Sequence, residues 1–396
     1  MSSVFIRGIG VVSSIGNNAD EIFGNLLNNQ TAFTEESELY GDLEECIYSS
    51  RIGSEIIESI DKFLESKSIR DTKEISKIAK ILLYTISKAI EDAGININCY
   101  ERGKIAFVIG NSDGVSEALE QYIEKKSFLS SSSYFILERV IEKLGLTGAR
   151  VLFVHNACAS SNVAVEIGCN LLKAGRADLV ISGGVEIFSK RVLFGLRKVG
   201  IISQKKCIPF AVNSQGIIIG EGGAVVVLEK KSEKYAKSKK YAEVIATAST
   251  NGGISMEKVE CDALYNAYLK LFAHGGIQAR DLDCIMGHAT GSVLNDYSEA
   301  KCIQKVKENV PVCVIKNTLG YLLGAAGIMG VVVICKIFQY GIIPGATYAR
   351  KIESVENINI INENKKDFKT NLWCNNAFGM GGNNTLLLIK KCICKE

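Results

Sequence analysis

The sequence predicts an α/β protein with mostly buried sheets, and three observations predict it. Short runs rich in β-branched and apolar residues alternate along the chain with stretches of helical spacing. A strand, a short polar turn and a long apolar helix occur in that order twice. Only 3 Pro against 37 Gly in 396 residues point to regular elements joined at tight, backbone-defined turns.

The elements follow in order. The N-terminus lacks the basic start and long apolar run of a signal peptide, so Val4–Val11 is expected as the first strand. Further strands are expected at Lys104–Ile109, Val151–Val154, Leu179–Ser182, Ala224–Leu228 and Val244–Ala248, then at Cys284–Gly287, Val312–Ile315, Leu372–Asn375 and Thr385–Ile389. Helices are expected at Asp20–Leu27, Thr72–Ala93, Val115–Glu124, Ser133–Leu144, Ser160–Ala174, Asp262–His274, Ser298–Lys307 and Leu322–Tyr340. The repeated unit runs from Val151 to Gly175 and again from Val312 to Gly341. This suggests two similar halves, 1–250 and 251–396, meeting near the Asn251-Gly252-Gly253 turn with their central helices back to back. The stretch from Tyr321 to Cys335 is almost wholly apolar, but it falls short of the ~20 apolar residues of a membrane span. Its Gly324, Gly327 and Gly330 suit close packing, so a helix buried between layers is expected and no span.

Composition narrows the function. A formal charge of +3, from 46 Lys+Arg against 43 Asp+Glu, argues against a surface that grips nucleic acid. The 13 Cys include no Cys-x-x-Cys pair, so no metal site is expected, and their scatter through apolar stretches reads as reduced thiols in a cytoplasmic protein.

Four places could carry chemistry. Cys158 follows Val151-Leu-Phe-Val-His-Asn-Ala and precedes Ala159-Ser-Ser, on a sharp strand-to-helix turn. That turn exposes a nucleophile and aims a helix N-terminus at it, which favours thiolate; the other reading is a small buried Cys. His288, in Gly287-His-Ala-Thr-Gly-Ser, leaves a strand end, where it is placed for acid–base work or for a structural hydrogen bond. His155 and His274 read as turn and helix-end residues. The Gly-rich segment Asn375–Asn384 is either a bulged hairpin or a source of N–H groups for an oxyanion.

Taken together these pieces become specific. Cys158 on its elbow, Gly220-Glu-Gly-Gly-Ala-Val-Val-Val-Leu-Glu229, His288 before Ala-Thr-Gly, Lys316 before Gly320-Tyr321-Leu-Leu-Gly324-Ala-Ala-Gly327, and Phe378-Gly-Met-Gly-Gly382 stand in one fixed order. In that order the chain resembles the elongating type II β-ketoacyl-acyl-carrier-protein synthases, ketosynthases of the thiolase fold, nearly end to end. The resemblance implies a five-layered α-β-α-β-α fold of two related halves, the first carrying Cys158 and the second His288, Lys316, Tyr321 and the Gly-rich turn. It implies no bound cofactor, because substrate arrives on the phosphopantetheine of an acyl carrier protein. A homodimer is implied, or a heterodimer with another ketosynthase-like subunit.

The implied chemistry is ping-pong. Cys158 takes an acyl group, with an oxyanion hole formed by its own N–H and that of Met380, and a malonyl-carrier thioester then loses CO2 and condenses. His288 and Lys316 match residues of this machinery, Glu299 matches a carboxylate that orders it, and Gly379 and Gly381 flank Met380 in the turn. Lys67, Arg70, Lys73, Lys125 and Lys126 match positions for docking the acidic carrier, or form an ordinary solvated face. The departures cluster at the centre. The family's second His is Tyr321 here, a phenol that donates one hydrogen bond and lacks two-nitrogen chemistry. Its charged Arg-Pro-Phe-Asp…Arg-Asp-Gly segment reads Ile208-Pro-Phe-Ala211…Ser214-Gln-Gly216, its gating Phe is Met380, and its Thr-Pro loop is not recognisable between Asn251 and Asp262. The leading expectation is therefore an acyl-Cys158 enzyme of fatty-acid or polyketide assembly with atypical decarboxylative condensation. The alternatives are a non-decarboxylating acyltransferase and a non-catalytic partner resembling a chain-length factor. A coenzyme A thiolase fits the motifs less well.

Overall fold

The computed structural model describes residues 3–36, 47–114, 133–230, 240–253, 259–351, 353–366 and 370–392. Ten strands carry the fold: β1 (Val4–Ser13), β2 (Ile105–Gly110), β3 (Arg150–Val154), β4 (Leu179–Glu186), β5 (Gly222–Lys230), β6 (Ala242–Asn251), β7 (Cys284–Met286), β8 (Val312–Cys313), β9 (Leu372–Gly379) and β10 (Asn383–Lys391). Their order, β8-β7-β9-β10-β6-β1-β5-β4-β2-β3, is one five-strand pattern used twice. In each set four strands point one way and the fifth, β5 or β10, runs antiparallel to both of its neighbours in the set. The sets touch where Val4–Ile6 pairs with Ala242–Val244. On this order β6, which ends at Asn251, pairs with β1 of the first set and β10 of the second.

Helices among the described residues are α1 (Ala19–Leu27), α2 (Ser54–Ser66), α3 (Lys77–Ala93), α4 (Ser133–Lys143), α5 (Ser160–Lys173), α6 (Lys190–Lys198), α7 (Cys261–Gly275), α8 (Val293–Val306), the single turn α9 (Lys316–Leu319) and α10 (Ala326–Tyr340). Side-chain alternation along the strands builds the layers. Ala224, Val226 and Leu228 of β5 face a central core with α5 and α10, while Val225 and Val227 face an outer core under α3. On β10, Leu387 and Ile389 face the centre, and Leu386 and Leu388 face Leu264, Tyr268 and Leu271 of α7. The stack is helix, sheet, helix, sheet, helix. Glycine lets α3 lie directly on β1: a Cβ at Gly10 would stand 2.0 Å from the carbonyl oxygen of Thr85.

The apolar stretch forms α10, whose residues Ala326 to Phe338 are all buried. The helical stretch Leu323–Tyr340 is long and apolar enough to cross a membrane, but 89% of it lies inside the protein. At its first turn α10 meets α5 in a polar node. Ile328 N–H donates to Ser161 Oγ at 3.0 Å, Asn375 Nδ2 donates to the Gly327 carbonyl at 3.0 Å, and Asn162 Nδ2 donates to the carbonyls of Asn375 and Thr385.

Several boundaries differ from expectation for physical reasons. The helix expected over Thr72–Ala93 is interrupted: Ile75 is extended, and Ser76 caps a fresh start at Lys77. The helix expected at Ser298 begins at Val293, and the one expected at Leu322 opens with a 3₁₀ turn. No helix is expected at α2 or α6; α6 buries only Leu193, and its short Val192-Leu-Phe-Gly-Leu196 run between charged ends spans too few turns to show helical periodicity. The expected Val115–Glu124 helix lies outside the described residues.

Candidate active site

The elbow after β3 is built from its own backbone. Ala157 has φ of +47°, a left-handed conformation that costs a non-glycine residue about 1–2 kcal/mol. Ser160 holds the turn closed. Its Oγ accepts the Asn156 N–H at 2.8 Å and donates to the Ala157 carbonyl at 2.6 Å. Cys158 stands at the tip, half-buried, with Ala159 capping α5.

The second half brings its residues to the same point from three connections. His288 follows β7, and its Nε2 lies 3.1 Å from the Tyr321 hydroxyl, with the two rings edge to face. Its Nδ1 is buried without a hydrogen-bond partner. The His288 backbone is held by Glu299, whose Oε1 accepts its N–H at 2.7 Å while Oε2 accepts the Ala289 N–H at 2.7 Å. Asn376 Nδ2 also donates to Glu299 Oε1, at 2.8 Å. Lys316 opens α9, and its ammonium donates to the His288 carbonyl and sits 5.4 Å from the centre of the Tyr321 ring. Tyr321 is clamped by its backbone to the first half, donating to the Ile218 carbonyl at 2.7 Å and accepting the Gly220 N–H at 2.9 Å.

The Gly-rich turn completes the enclosure. Gly379 ends β9 so close to the elbow that a Cβ there would stand 3.1 Å from the Ala157 Cβ and 3.2 Å from the Cys158 nitrogen. Met380 follows it, and Gly381 and Gly382 turn the chain back, both at φ of +79°. Cys158, His288, Tyr321, Phe378, Gly379 and Met380 line one cavity of about 40 Å³, together with Leu196, Ile201, Ile217 and Leu323.

Burial sets the charges. It pushes the Cys158 thiol up to about 11; the Tyr321 hydroxyl offsets it most, Glu186 adds to it and Lys316 opposes it. Burial thus opposes the thiolate that the helix N-terminus favours. Burial, then Lys316, holds His288 well below the usual imidazole range, so the ring is neutral. Burial, then the neighbouring Cys158, keeps the Tyr321 phenol protonated. Burial lowers Lys316 to about 8, against the pull of Glu299. The Glu299 carboxyl is raised by burial, partly offset by its three hydrogen bonds. A neutral thiol, phenol and imidazole thus stand side by side. Such a set moves protons through hydrogen bonds without building net charge at rest.

Some residues of the site gave no sequence signal. Asp296 accepts the N–H groups of Phe210, Thr290 and Gly291 and fixes the loop after His288. It lies three residues before Glu299 on α8, a spacing that could have found it. Asn376 looked like turn sequence only. The segment that lost its family charges is the one Asp296 holds, through Phe210 at φ of +60°. Away from the cavity, Lys67, Arg70 and Lys73 are exposed between α2 and α3; Lys67 is paired with Glu91, while Lys125 and Lys126 lie outside the described residues. Among the described residues no group of three or more His, Cys, Asp or Glu could hold a metal ion.

Two halves of the same strand order, closed over central helices with a cysteine elbow between them, define a thiolase-fold protein of the ketosynthase type. The model of the beta-ketoacyl synthase N-terminal domain matches residues 1–234 and that of the C-terminal domain matches 241–348, so the chain belongs to the β-ketoacyl synthase family. It is 26% identical to 3-oxoacyl-[acyl-carrier-protein] synthase 1 of Buchnera aphidicola subsp. Schizaphis graminum, over 99% of this chain and 100% of that protein. It is 27% identical to a putative mitochondrial 3-oxoacyl-[acyl-carrier-protein] synthase of Schizosaccharomyces pombe, over 99% of each. In fold it matches the ishigamide ketosynthase/chain length factor with a TM-score of 0.87 at 19% identity, covering 99% of this chain and 100% of that one.

Proposed function

We propose that the chain loads an acyl group onto Cys158 from an acyl carrier protein, in fatty-acid or polyketide assembly, and carries out decarboxylative condensation in atypical form. The observation that supports this is the convergence of Cys158, Tyr321, His288 and the Met380 turn on one cavity. In the tautomer with Nδ1 protonated, His288 Nε2 accepts from the Tyr321 hydroxyl, whose oxygen can then take the Cys158 proton. Sulfur attacks the thioester carbonyl, the oxyanion is met by the N–H groups of Cys158 and Met380, and the bond to the carrier arm breaks. The departing thiolate takes up the proton, so charge and atoms balance. The division of labour is part of the proposal: the first half supplies the nucleophile, the second supplies His288, Lys316, Tyr321, Glu299 and the turn at Gly379–Gly381.

The second step is where Tyr321 matters. An enolate needs strong donors, and losing one typically costs about 10²–10³ in rate. A phenol already engaged with His288 therefore favours the second reading, a non-decarboxylating transfer of the acyl group to another nucleophile. The third, a chain-length-factor-like subunit, is disfavoured by the strained elbow under Cys158. The partner in this reading is an acyl carrier protein, docking through Lys67, Arg70, Lys73, Lys125 and Lys126, the assembly is a homodimer or a ketosynthase heterodimer, and the compartment is the cytoplasm. The names of the relatives, which include an acyl carrier protein, and the ketosynthase/chain length factor title of the structural neighbour support the carrier partner and the paired assembly.

Intact-protein mass spectrometry with acyl-carrier substrate tests the first step. A mass gain lost in Cys158→Ala is expected; an undiminished gain in that variant sinks the proposal. CO2 release from malonyl-carrier then separates condensation from transfer, and Tyr321→His should raise it.

A further inference from the structure

Glu186 ends β4, is 1% exposed, and has no part in the steps above. Its carboxylate accepts four hydrogen bonds. Oε1 takes Asn111 Nδ2 at 3.1 Å; Oε2 takes the Ser112 N–H at 2.9 Å, the Ser112 hydroxyl at 2.8 Å and the Gly324 N–H at 2.9 Å. Three of these donors follow β2 in the first half. The fourth stands three residues after Tyr321, in the second half.

The donors of the first half lead to the nucleophile. Asn111 accepts at its carbonyl from Ser160 Oγ at 3.2 Å and from His155 Nδ1 at 3.0 Å, and Ser160 is the side chain that closes the elbow under Cys158. The fit at the other end is equally close. A Cβ at Gly324 would stand 2.5 Å from the Ser112 nitrogen and 2.8 Å from Glu186 Oε2, so the loop bearing Tyr321 rests on the carboxylate. One buried group thus ties the elbow of one half to the loop of the other. Burial raises the Glu186 carboxyl itself to about 7, so above neutral pH its charge also reaches both, raising the Cys158 thiol and the Tyr321 phenol. The other charged groups nearby are committed elsewhere: Asp113 to Arg191, Glu221 to Lys77, and Lys316 to the His288 carbonyl.

We propose that Glu186 is a positioning residue that sets the Tyr321 hydroxyl against the Cys158 thiol across the junction of the two halves, and so governs acyl loading. This rests on the reading of Cys158 as the acyl acceptor.

Two variants separate its geometry from its charge. Glu186→Gln keeps an acceptor oxygen toward Ser112 and Gly324 while losing the charge and one bond to Asn111; Glu186→Ala loses everything. Single-turnover loading from an acyl-carrier thioester, and the pH profile of Cys158 alkylation by iodoacetamide, are the readouts. In Glu186→Gln loading should stay within about threefold of wild type while the alkylation profile moves to lower pH. In Glu186→Ala loading should fall about 10- to 100-fold, as for a nucleophile and its partner moved by about 1 Å. Adding Tyr321→Phe to Glu186→Ala should then cost little more, because the two act through one contact. Fully additive losses, or a Glu186→Gln alkylation profile that superimposes on wild type, overturn the proposal. Acyl mass retained in Cys158→Ala overturns the reading beneath it instead, so the two failures are distinct.

Discussion

Cys158 should react with iodoacetamide more slowly than an ordinary exposed cysteine at neutral pH, although it sits at a helix N-terminus. The dipole of α5 favours thiolate by roughly 0.3–2 kcal/mol. Burial nevertheless leaves the thiol at about 11, against 9.0 for the unperturbed group. Two units mean about 100-fold less thiolate at pH 7.5. A more basic thiolate is the better nucleophile, by about 6- to 10-fold for two units at a Brønsted slope of 0.4–0.5. The net expectation is about tenfold slower alkylation, before any steric shielding, than at a thiol with ordinary ionisation. The chain supplies its own controls, since Cys99 is exposed and Cys169 is fully buried. Peptide-level mass spectrometry over pH 6.5–10.5 should show the Cys158 rate climbing across the whole range without a plateau. Tyr321→Phe, which removes the largest offset to burial, should slow it further. A plateau below pH 9, or a Cys158 rate above that of Cys99 at pH 7.5, would refute the reasoning and show that the helix field wins.

Three further outcomes follow from particular contacts. Gly379→Ala places a Cβ 3.1 Å from the Ala157 Cβ and should lower single-turnover loading about tenfold or more, by crowding the N–H face of the elbow; unchanged loading would remove that turn from the oxyanion site. Gly327→Ala places a Cβ 2.4 Å from Asn162 Oδ1 between the central helices and should cost about 1–3 kcal/mol in denaturant unfolding, with no cost if the node is loose. His288 is held neutral, below the usual 6.5, so the unfolded chain binds more protons below that pH and the native state loses stability as pH falls. The melting temperature should accordingly drop between pH 7 and 5.5, and His288→Gln should flatten the drop; an unaltered slope would mean the imidazole titrates alike in both states.

All ten strands of the large sheet were legible because each reads as a short apolar run, most of them buried on both faces and only the edge strand β3 largely open. Helix α6 was not, since its Lys190-Arg191 and Arg197-Lys198 ends leave a single buried leucine. The break before α3 was hidden because the helical pattern runs on through Ile75 and Ser76. At the site, motif order gave Cys158, His288, Lys316 and Tyr321. Glu186, Asp296 and Asn376 escaped because their work is to accept or donate bonds to segments remote in sequence. The opposing effects on Cys158 show a related limit: a turn reveals where a dipole points, but only the assembled halves reveal the burial that works against it.

The replacement of a histidine by Tyr321 could be taken as decay of an active site, and the surrounding energetics argue against that. Ala157 and Ala289 both hold left-handed backbone conformations, which cost about 1–2 kcal/mol each and persist only where their surroundings enforce them. Glu299 and Lys316 are buried ionisable groups 1% and 5% exposed, each desolvated and each retained with its hydrogen bonds intact. A shell kept only for packing is under no physical need to hold such features, since apolar residues of the same volume would be as stable or more so. Tyr321 itself is fitted to its place: its backbone is clamped by Ile218 and Gly220, its ring lies beside the Lys316 ammonium, and its hydroxyl reaches His288 Nε2. The hydroxyl faces the imidazole and shares one cavity with Cys158, where in the proposed function it can carry a proton between them. Relative to the family pattern, the site lacks a second imidazole at this position. In the proposed function the physical cost of the change falls on enolate stabilisation, so the partition between CO2 release and simple acyl transfer is the property expected to follow this tyrosine.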